Sequence, residues 1–92
     1  MKEDVIETRL RKGVEAMGGL CEKFVSTGRR HVPDRLVTLP KGEMRLVECK
    51  RPGESPRSGQ VRDHNRRARL GVTVHVVSTP DEVDALLEQW RC

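Results

Sequence analysis

Two carboxylates and a lysine occupy positions in this sequence that neighbouring β-strands would bring together. Asp34 begins one apolar segment, and Glu48 and Lys50 end a second one after a turn-forming sequence at residues 40–43. This pattern predicts a β-hairpin whose outer ends are adjacent. Glu48 and Lys50 are two residues apart in the same strand, so their side chains project from the same face. The sequence therefore predicts that two acids and one ammonium converge.

Such a cluster points to metal-assisted phosphate chemistry. Two carboxylates in one place repel each other unless a proton or a cation joins them. Mg²⁺ accepts one or two carboxylates and leaves other positions for water or phosphate oxygens. The lysine could orient or help deprotonate a water, or offset charge on a phosphate. An acid-x-lysine triplet alone is usually a solvated surface feature, but Pro33-Asp34 at hairpin distance favours a site.

The composition indicates one small basic domain over residues 1–92. Only 35% of the 92 residues are hydrophobic and 2% are aromatic, so the core is modest and association of two chains would enlarge it. A formal net charge of +4 suits a polyanionic partner. The scarcity of aromatic residues argues against proteins that read single strands by stacking bases, and favours phosphate contacts.

The cysteine pattern excludes two further classes of site. Cys21, Cys49 and Cys92 form no C-x-x-C pair, so we expect no structural zinc. Their odd number and the lack of a signal peptide predict a reducing cytoplasm. We expect the Cys49 side chain to point into the core, which argues against thiol catalysis.

No apolar run approaches the roughly 18 residues that a membrane span requires.

Hydrophobic periodicity predicts the order α-β-β-β-α-β-α. The predicted elements are a helix over 3–17, a strand over 20–25, the hairpin over 34–49, a helix over about 59–70 with Ser58 as N-cap, a strand over 72–77, and a helix from Thr79 to about Trp90. The strands before and after the middle helix should be parallel, because a crossover joins them. The class is therefore α/β with a mixed sheet flanked by helices.

Two helices leave alternatives open. Leu86, Leu87 and Trp90 lie on one face of the last helix, which could face the core or a second copy of the chain. The middle helix is rich in arginine, so it is either a solvated face or a surface for DNA.

The chain resembles the PD-(D/E)xK nuclease superfamily, and within it the small stand-alone form of the virus-type replication-repair nuclease (VRR-NUC) family. The resemblance rests on Glu7, Gly18-Gly19, Lys23, Pro33-Asp34-Arg35, Glu48-Cys49-Lys50 and Gln60, and covers nearly the whole chain. It implies a restriction-endonuclease-like core. One departure is His31, where the family pattern has glycine.

The resemblance also implies a nuclease that uses Mg²⁺ or Mn²⁺. Asp34, Glu48 and the backbone carbonyl of Cys49 would hold the ion, and Lys50 would position the attacking water. Glu7 would contribute through a water molecule or at a second ion. Gln60 would steady the water or a phosphate.

The resemblance further implies homodimers that act on branched DNA in a bacterial or phage-infected cell. The basic side chains expected to contact DNA are Lys23, Arg29, Arg30, Arg35, Arg62 and Arg66. The alternative is a basic DNA-binding accessory module without catalysis, and a resolvase-like relative would share the fold and site. The set of Asp34, Glu48 and Lys50 favours the enzyme.

Overall fold

A computed structural model describes residues 3–91, and Cys92 lies outside them. The elements are α1 (Glu3–Ala16), β1 (Leu20–Lys23), β2 (Arg35–Thr38), a 3₁₀ turn (Pro40–Gly42), β3 (Met44–Cys49), α2 (Ser58–Arg69), β4 (Val74–Val77) and α3 (Pro80–Trp90). The predicted α/β class and element order are confirmed.

The four strands form one mixed sheet in the order β1-β2-β3-β4. The β1–β2 and β2–β3 pairs are antiparallel, and β3 pairs in parallel with β4, as the crossover through α2 predicts. In the hairpin, Arg35 lies opposite Val47 and Thr38 opposite Met44. The turn closes where Lys41 and Gly42 adopt positive φ angles of 73° and 80°.

Helices α1 and α3 cover one face of the sheet and form the core with it. Ile6, Leu10 and Val14 of α1 are fully buried against residues such as Val37 and Val47 of the strands. Helix α1 has its apolar residues at helical spacing and the strands alternate, so both patterns place these side chains on one side.

The last helix faces the core. Leu86, Leu87 and Trp90 belong to the buried apolar cluster, at 7–8% exposure. The close approach of α3 to α1 depends on Gly13, because a β carbon there would collide with the Leu87 side chain. These three residues are therefore unavailable as an interface with a second copy.

Helix α2 lies at one end of the other sheet face and differs from its prediction at its start. Ser58 is the first helical residue instead of the N-cap, and Arg57 precedes it with extended backbone. The Arg57 backbone N–H donates to Gln60 Oε1 at 2.9 Å, so the glutamine closes the first turn. Within residues 3–91, no helix is long and apolar enough to cross a membrane.

Two strands are shorter than predicted. β1 ends at Lys23, and the chain then leaves the sheet, with Val25 71% exposed. β4 begins at Val74 instead of residue 72, because Gly71 turns the chain with a φ of 91° and Val72 is still outside the ladder. β-branched composition alone does not reveal where backbone pairing begins.

Candidate active site

The hairpin brings Asp34 and Glu48 together at one end of the sheet. Arg35 pairs with Val47 in this antiparallel hairpin. Asp34 comes just before Arg35 and Glu48 comes just after Val47, so Asp34 and Glu48 lie opposite each other. The backbone N–H of Cys49 lies 3.2 Å from both oxygens of the Asp34 carboxylate. This contact fixes the Asp34 side chain across the end of β3.

Lys50 projects beside Glu48, as the two-residue spacing predicts. The Lys50 Nζ atom lies 3.6 Å from Glu48 Oε2, and the two side chains are 12% and 5% exposed. The Lys50 backbone N–H donates to the Val77 carbonyl at 2.8 Å, so the β3–β4 ladder holds its main chain. The ammonium is thus held on the sheet next to the acid pair.

The electrostatics of the acid pair favour an added positive charge. The pKa of Asp34 is raised to about 7, first by burial of the carboxyl group and then by the negative charge of Glu48. The Cys49 N–H opposes this shift, Glu7 adds to it, and Arg35 opposes it. At neutral pH the cluster therefore holds a proton readily and would release it to a competing cation.

Gln60 joins the first turn of α2 to Glu48. Its amide Nε2 donates to Glu48 Oε2 at 3.1 Å, while its Oε1 accepts the Arg57 N–H. Both ends of one side chain are therefore fixed, one by the helix start and the other by the candidate metal ligand. The structure thus places Gln60 beside the acid pair, and its predicted role of steadying a water or a phosphate stays a prediction.

Glu7 and Arg35 form an ion pair that sequence reasoning missed. Glu7 Oε2 lies 2.6 Å from Arg35 Nη2, with side chains 24% and 18% exposed. Strand alternation directs Arg35 toward α1, and one turn of α1 presents Glu7 to it. The negative charge of Glu7 also acts on Asp34. Glu7 is therefore close to the site, and the predicted DNA contact of Arg35 would compete with this pair.

The other basic residues predicted to contact DNA are exposed to solvent. Exposed side chains belong to Lys23 at the end of β1, Arg29 and Arg30 in the following loop, and Arg62 and Arg66 on α2. Their contacts with DNA remain a prediction.

Asp63 and Arg67 form a second interaction next to the site. The Asp63 side chain is 4% exposed and accepts from Arg67 Nε at 2.8 Å. The Arg67 guanidinium lies 5.7 Å from the centre of the Phe24 ring, and the Phe24 N–H donates to the Asp34 carbonyl at 2.9 Å. Arg67 is thus packed instead of solvated. The four-residue spacing of Asp63 and Arg67 was the signal available in the sequence.

The side chains of Cys49, His64 and His75 fit structural roles. Cys49 is fully buried in the core, and burial raises the pKa of its thiol, as does Asp34. The ring of His75 packs edge-on against Trp90, with 5.7 Å between the ring centres. Burial lowers the pKa of His64 and of His75, which favours the neutral form of both rings.

The donor set suits a hard divalent ion. Within the described part of the chain, no three side chains of His, Cys, Asp or Glu are grouped as a metal cluster. The candidate ligands are instead two carboxylates, Asp34 and Glu48, and the Cys49 carbonyl. Mg²⁺ commonly binds one or two carboxylates and takes its other ligands from water and substrate phosphate, so this oxygen set fits it.

Known proteins resemble nearly the whole chain. It is 51% identical over 81 residues to the "Putative nuclease p44" of Acyrthosiphon pisum secondary endosymbiont phage 1, which covers 88% of this chain and 87% of that protein. A solved structure of a "VRR_NUC domain" superposes with a TM-score of 0.89 at 36% identity, covering 96% of each chain. No protein-family model matches the sequence.

Proposed function

The chain belongs to the VRR-NUC domain family of nucleases, and from this premise we propose that it is a metal-dependent endonuclease that hydrolyses DNA phosphodiester bonds. The observation that carries this proposal is the convergence of Asp34, Glu48 and Lys50 where β2 begins and β3 ends. A protein that only bound DNA would gain nothing from two acids facing a phosphate.

Asp34, Glu48 and the Cys49 carbonyl are the groups that would hold Mg²⁺ or Mn²⁺. When bound, the ion would act as a Lewis acid on the scissile phosphate and offset the charge that develops on its oxygens. Binding would require Asp34 to lose the proton that burial and Glu48 favour. Glu7, whose charge reaches Asp34, would contribute through a water molecule or at a second ion.

Lys50 and Gln60 have separate tasks in this mechanism. The 3.6 Å separation between Lys50 Nζ and Glu48 Oε2 is a loose ion pair, which leaves ammonium donors for an attacking water or a phosphate oxygen. Gln60 directs its amide at the same Glu48 oxygen and so fixes which way that carboxylate faces. The lysine would orient the water, and the glutamine would orient the ligand.

The substrate we propose is branched DNA, bound through its phosphates and cut by a homodimer in the cytoplasm of a bacterial or phage-infected cell. Support for phosphate binding comes from the net charge of +4 and the exposed arginines of the loop and α2. Paired cuts in a symmetric junction need two sites related by a two-fold axis, since one site cuts one strand.

A cleavage assay tests the proposal. The purified protein is incubated with linear, nicked, flapped and four-way DNA, with Mg²⁺, Mn²⁺ or excess chelator. We expect cleavage only with an ion, and none from Asp34→Asn or Glu48→Gln although both still bind DNA. Glu43→Gln is the matched control, because Glu43 is exposed at the opposite end of the hairpin. Activity in chelator or in either site variant contradicts the proposal, and binding without any cleavage indicates the accessory module.

A further inference from the structure

Helix α2 carries Gln60 to the site but has little apolar contact to hold it there. Its only buried residues are Gly59 and Asp63, and among the described residues none from α2 belongs to the buried apolar cluster. An α-helix is normally fixed by its apolar face. The position of its first turn, and hence the Gln60–Glu48 hydrogen bond, must depend on individual contacts.

One of these contacts joins two unusual backbone positions. His31 has a φ of 65°, in the left-handed region that side chains with a β carbon disfavour. Its ring lies directly against Gly59: a β carbon at residue 59 would be 2.5 Å from the ring atoms Cδ2 and Nε2 and 2.8 Å from Cε1. The ring therefore occupies the space that any larger residue at position 59 would need.

The two residues of this contact adjoin the basic loop and Gln60 in sequence. His31 directly follows Arg29 and Arg30 in the exposed basic loop, and Gly59 directly precedes Gln60. One packing contact thus links the predicted DNA-binding loop to the side chain that holds Glu48.

We propose that His31 is a positioning residue, whose ring seats the first turn of α2 so that Gln60 holds Glu48 in its working orientation. The left-handed backbone at His31 directs the ring at Gly59. When Arg29 and Arg30 engage DNA phosphates, the loop keeps the ring on the helix, and substrate binding thereby supports the geometry of the site. This inference rests on the proposed nuclease function.

Substitution of Gly59 by alanine gives a test in which the sign of the effect is informative. In a helix without a neighbouring obstacle, Gly→Ala is stabilising because alanine is the better helix former. Here the added methyl meets the His31 ring. We expect Gly59→Ala to slow single-turnover cleavage at saturating DNA by tenfold or more while the Kd for DNA stays within twofold.

Removal of the His31 ring should abolish the effect of the added methyl at residue 59. His31→Asn, which tolerates the left-handed backbone but lacks the ring, should also slow cleavage by about tenfold with an unchanged Kd. In the His31→Asn background, Gly59→Ala should cause no further loss and should raise Tm. Gly28→Ala controls for an added methyl alone, because nothing lies within 4 Å of a β carbon there. Since Gly28 adjoins Arg29 in the same loop, this control is compared by the resonances of Gln60 described below and not by cleavage.

A measurement without DNA or metal separates this inference from the nuclease proposal. The side-chain amide resonances of Gln60, followed by NMR, should shift in Gly59→Ala and in His31→Asn and remain in place in Gly28→Ala. Unchanged Gln60 resonances, additive effects in the double variant, or a His31→Asn protein that binds DNA weakly but cleaves at the normal rate would each overturn the positioning role. Shifted resonances in a protein that cleaves no DNA would support the contact and reject the nuclease function.

Discussion

At the scale of single residues, the candidate site is organised around one buried oxygen. Glu48 Oε2 accepts from Gln60 and lies next to the Lys50 ammonium, while both oxygens of Asp34 face the Cys49 N–H. Each carboxylate is therefore oriented by protein donors before any ion binds. Such preorganisation lowers the cost of assembling a charged site.

Residue spacing was sufficient to predict this trio, whereas Glu7 and Gln60 were assigned to the site only through the family resemblance, and the Glu7–Arg35 ion pair was not predicted. Antiparallel register and two-residue alternation determine that Asp34, Glu48 and Lys50 meet. The Glu7–Arg35 pair depends instead on which turn of α1 packs over β2, and this follows from the tertiary packing of the core. Local spacing contains no information on that distance.

Lys50→Met should reduce turnover strongly and leave binding nearly unchanged. Groups that move or orient protons typically contribute ~10²–10⁴-fold to rate, and we expect a single-turnover loss in this range. The methionine keeps most of the side-chain volume and removes the charge. Lys12→Met, on the exposed surface of α1, is the control and should cleave normally. A normal rate with a raised Kd would make Lys50 a phosphate anchor only.

The pKa of Asp34 predicts how the metal-free protein responds to pH. The carboxyl has a pKa of about 7 in the folded chain and its usual 3.8 when unfolded, so the folded state binds more protons between these values. Stability from this group is therefore present at low pH and is lost as pH rises toward and through 7. In chelator, Asp34→Asn should have a higher Tm than the wild type at pH 8 and a similar Tm near pH 4.

Divalent ions should offset the loss of stability of the wild type at high pH. Because the ion competes with the Asp34 proton, Mg²⁺ should raise the Tm of the wild type more at pH 8 than at pH 6. The same titration of Asp34→Asn should show little effect of Mg²⁺ at either pH. If Asp34→Asn in chelator has a higher Tm than the wild type by the same amount at every pH, Asp34 is not the titrating group.

At the scale of secondary-structure elements, the reliability of the prediction follows the amount of apolar burial. Helices α1 and α3 have regular apolar faces, so their positions along the chain were predictable, although the sequence left open whether the face of α3 meets the core or a second copy. Helix α2 has few apolar residues, and its start is set by a glutamine that also binds Glu48. A propensity rule assigned the cap to Ser58, whereas the local hydrogen bond from the Arg57 N–H to Gln60 closes the first turn one residue earlier.

Loss of the Asp63 carboxylate should destabilise α2 and the fold. Asp63→Ala leaves Arg67 without its partner beside Phe24, and breaking a buried ion pair typically costs 3–5 kcal/mol. We expect a decrease of about 3 kcal/mol in the free energy of unfolding, measured in urea, because Arg67 keeps 24% of its side chain exposed. Glu88→Ala, which breaks the exposed pair with Arg91, is the control and should cost less than about 1 kcal/mol.

A double variant tests whether charge burial causes this loss. Asp63→Ala with Arg67→Met removes both charges and retains apolar contact with Phe24, so it should be more stable than Asp63→Ala alone. If the double variant is as unstable as the sum of the single changes, the pair contributes by shape and packing instead of charge.

At the scale of the whole molecule, the core already uses the apolar face of α3, and this limits which surface could join two copies of the chain. Helix α3 turns Leu86, Leu87 and Trp90 inward, so association between copies would have to use another surface. Exposed apolar side chains remain on the sheet face that α1 and α3 leave uncovered, including Leu20, Met44 and Val76. This distribution could not be read from the sequence, because strand alternation defines two faces without stating which one the helices cover.

The proposed homodimer predicts a measurable mass and a measurable pattern of cutting. Light scattering at micromolar concentration should report about twice the chain mass of 10.5 kDa. On a four-way junction, a dimer with two competent sites should make paired cuts, and the resolved products should form without accumulation of nicked junction.

Mixed dimers provide the decisive comparison. When wild type is exchanged with an excess of Asp34→Asn, most competent sites lie in dimers whose second site is inactive. Each such dimer can cut one strand, so nicked junctions should accumulate while resolution declines with the square of the wild-type fraction. Nicking itself should fall only in proportion to that fraction, because one site suffices for it. If resolution instead declines linearly, or paired cuts persist in a protein that scatters light as a monomer, each chain acts alone and the two-fold arrangement is wrong.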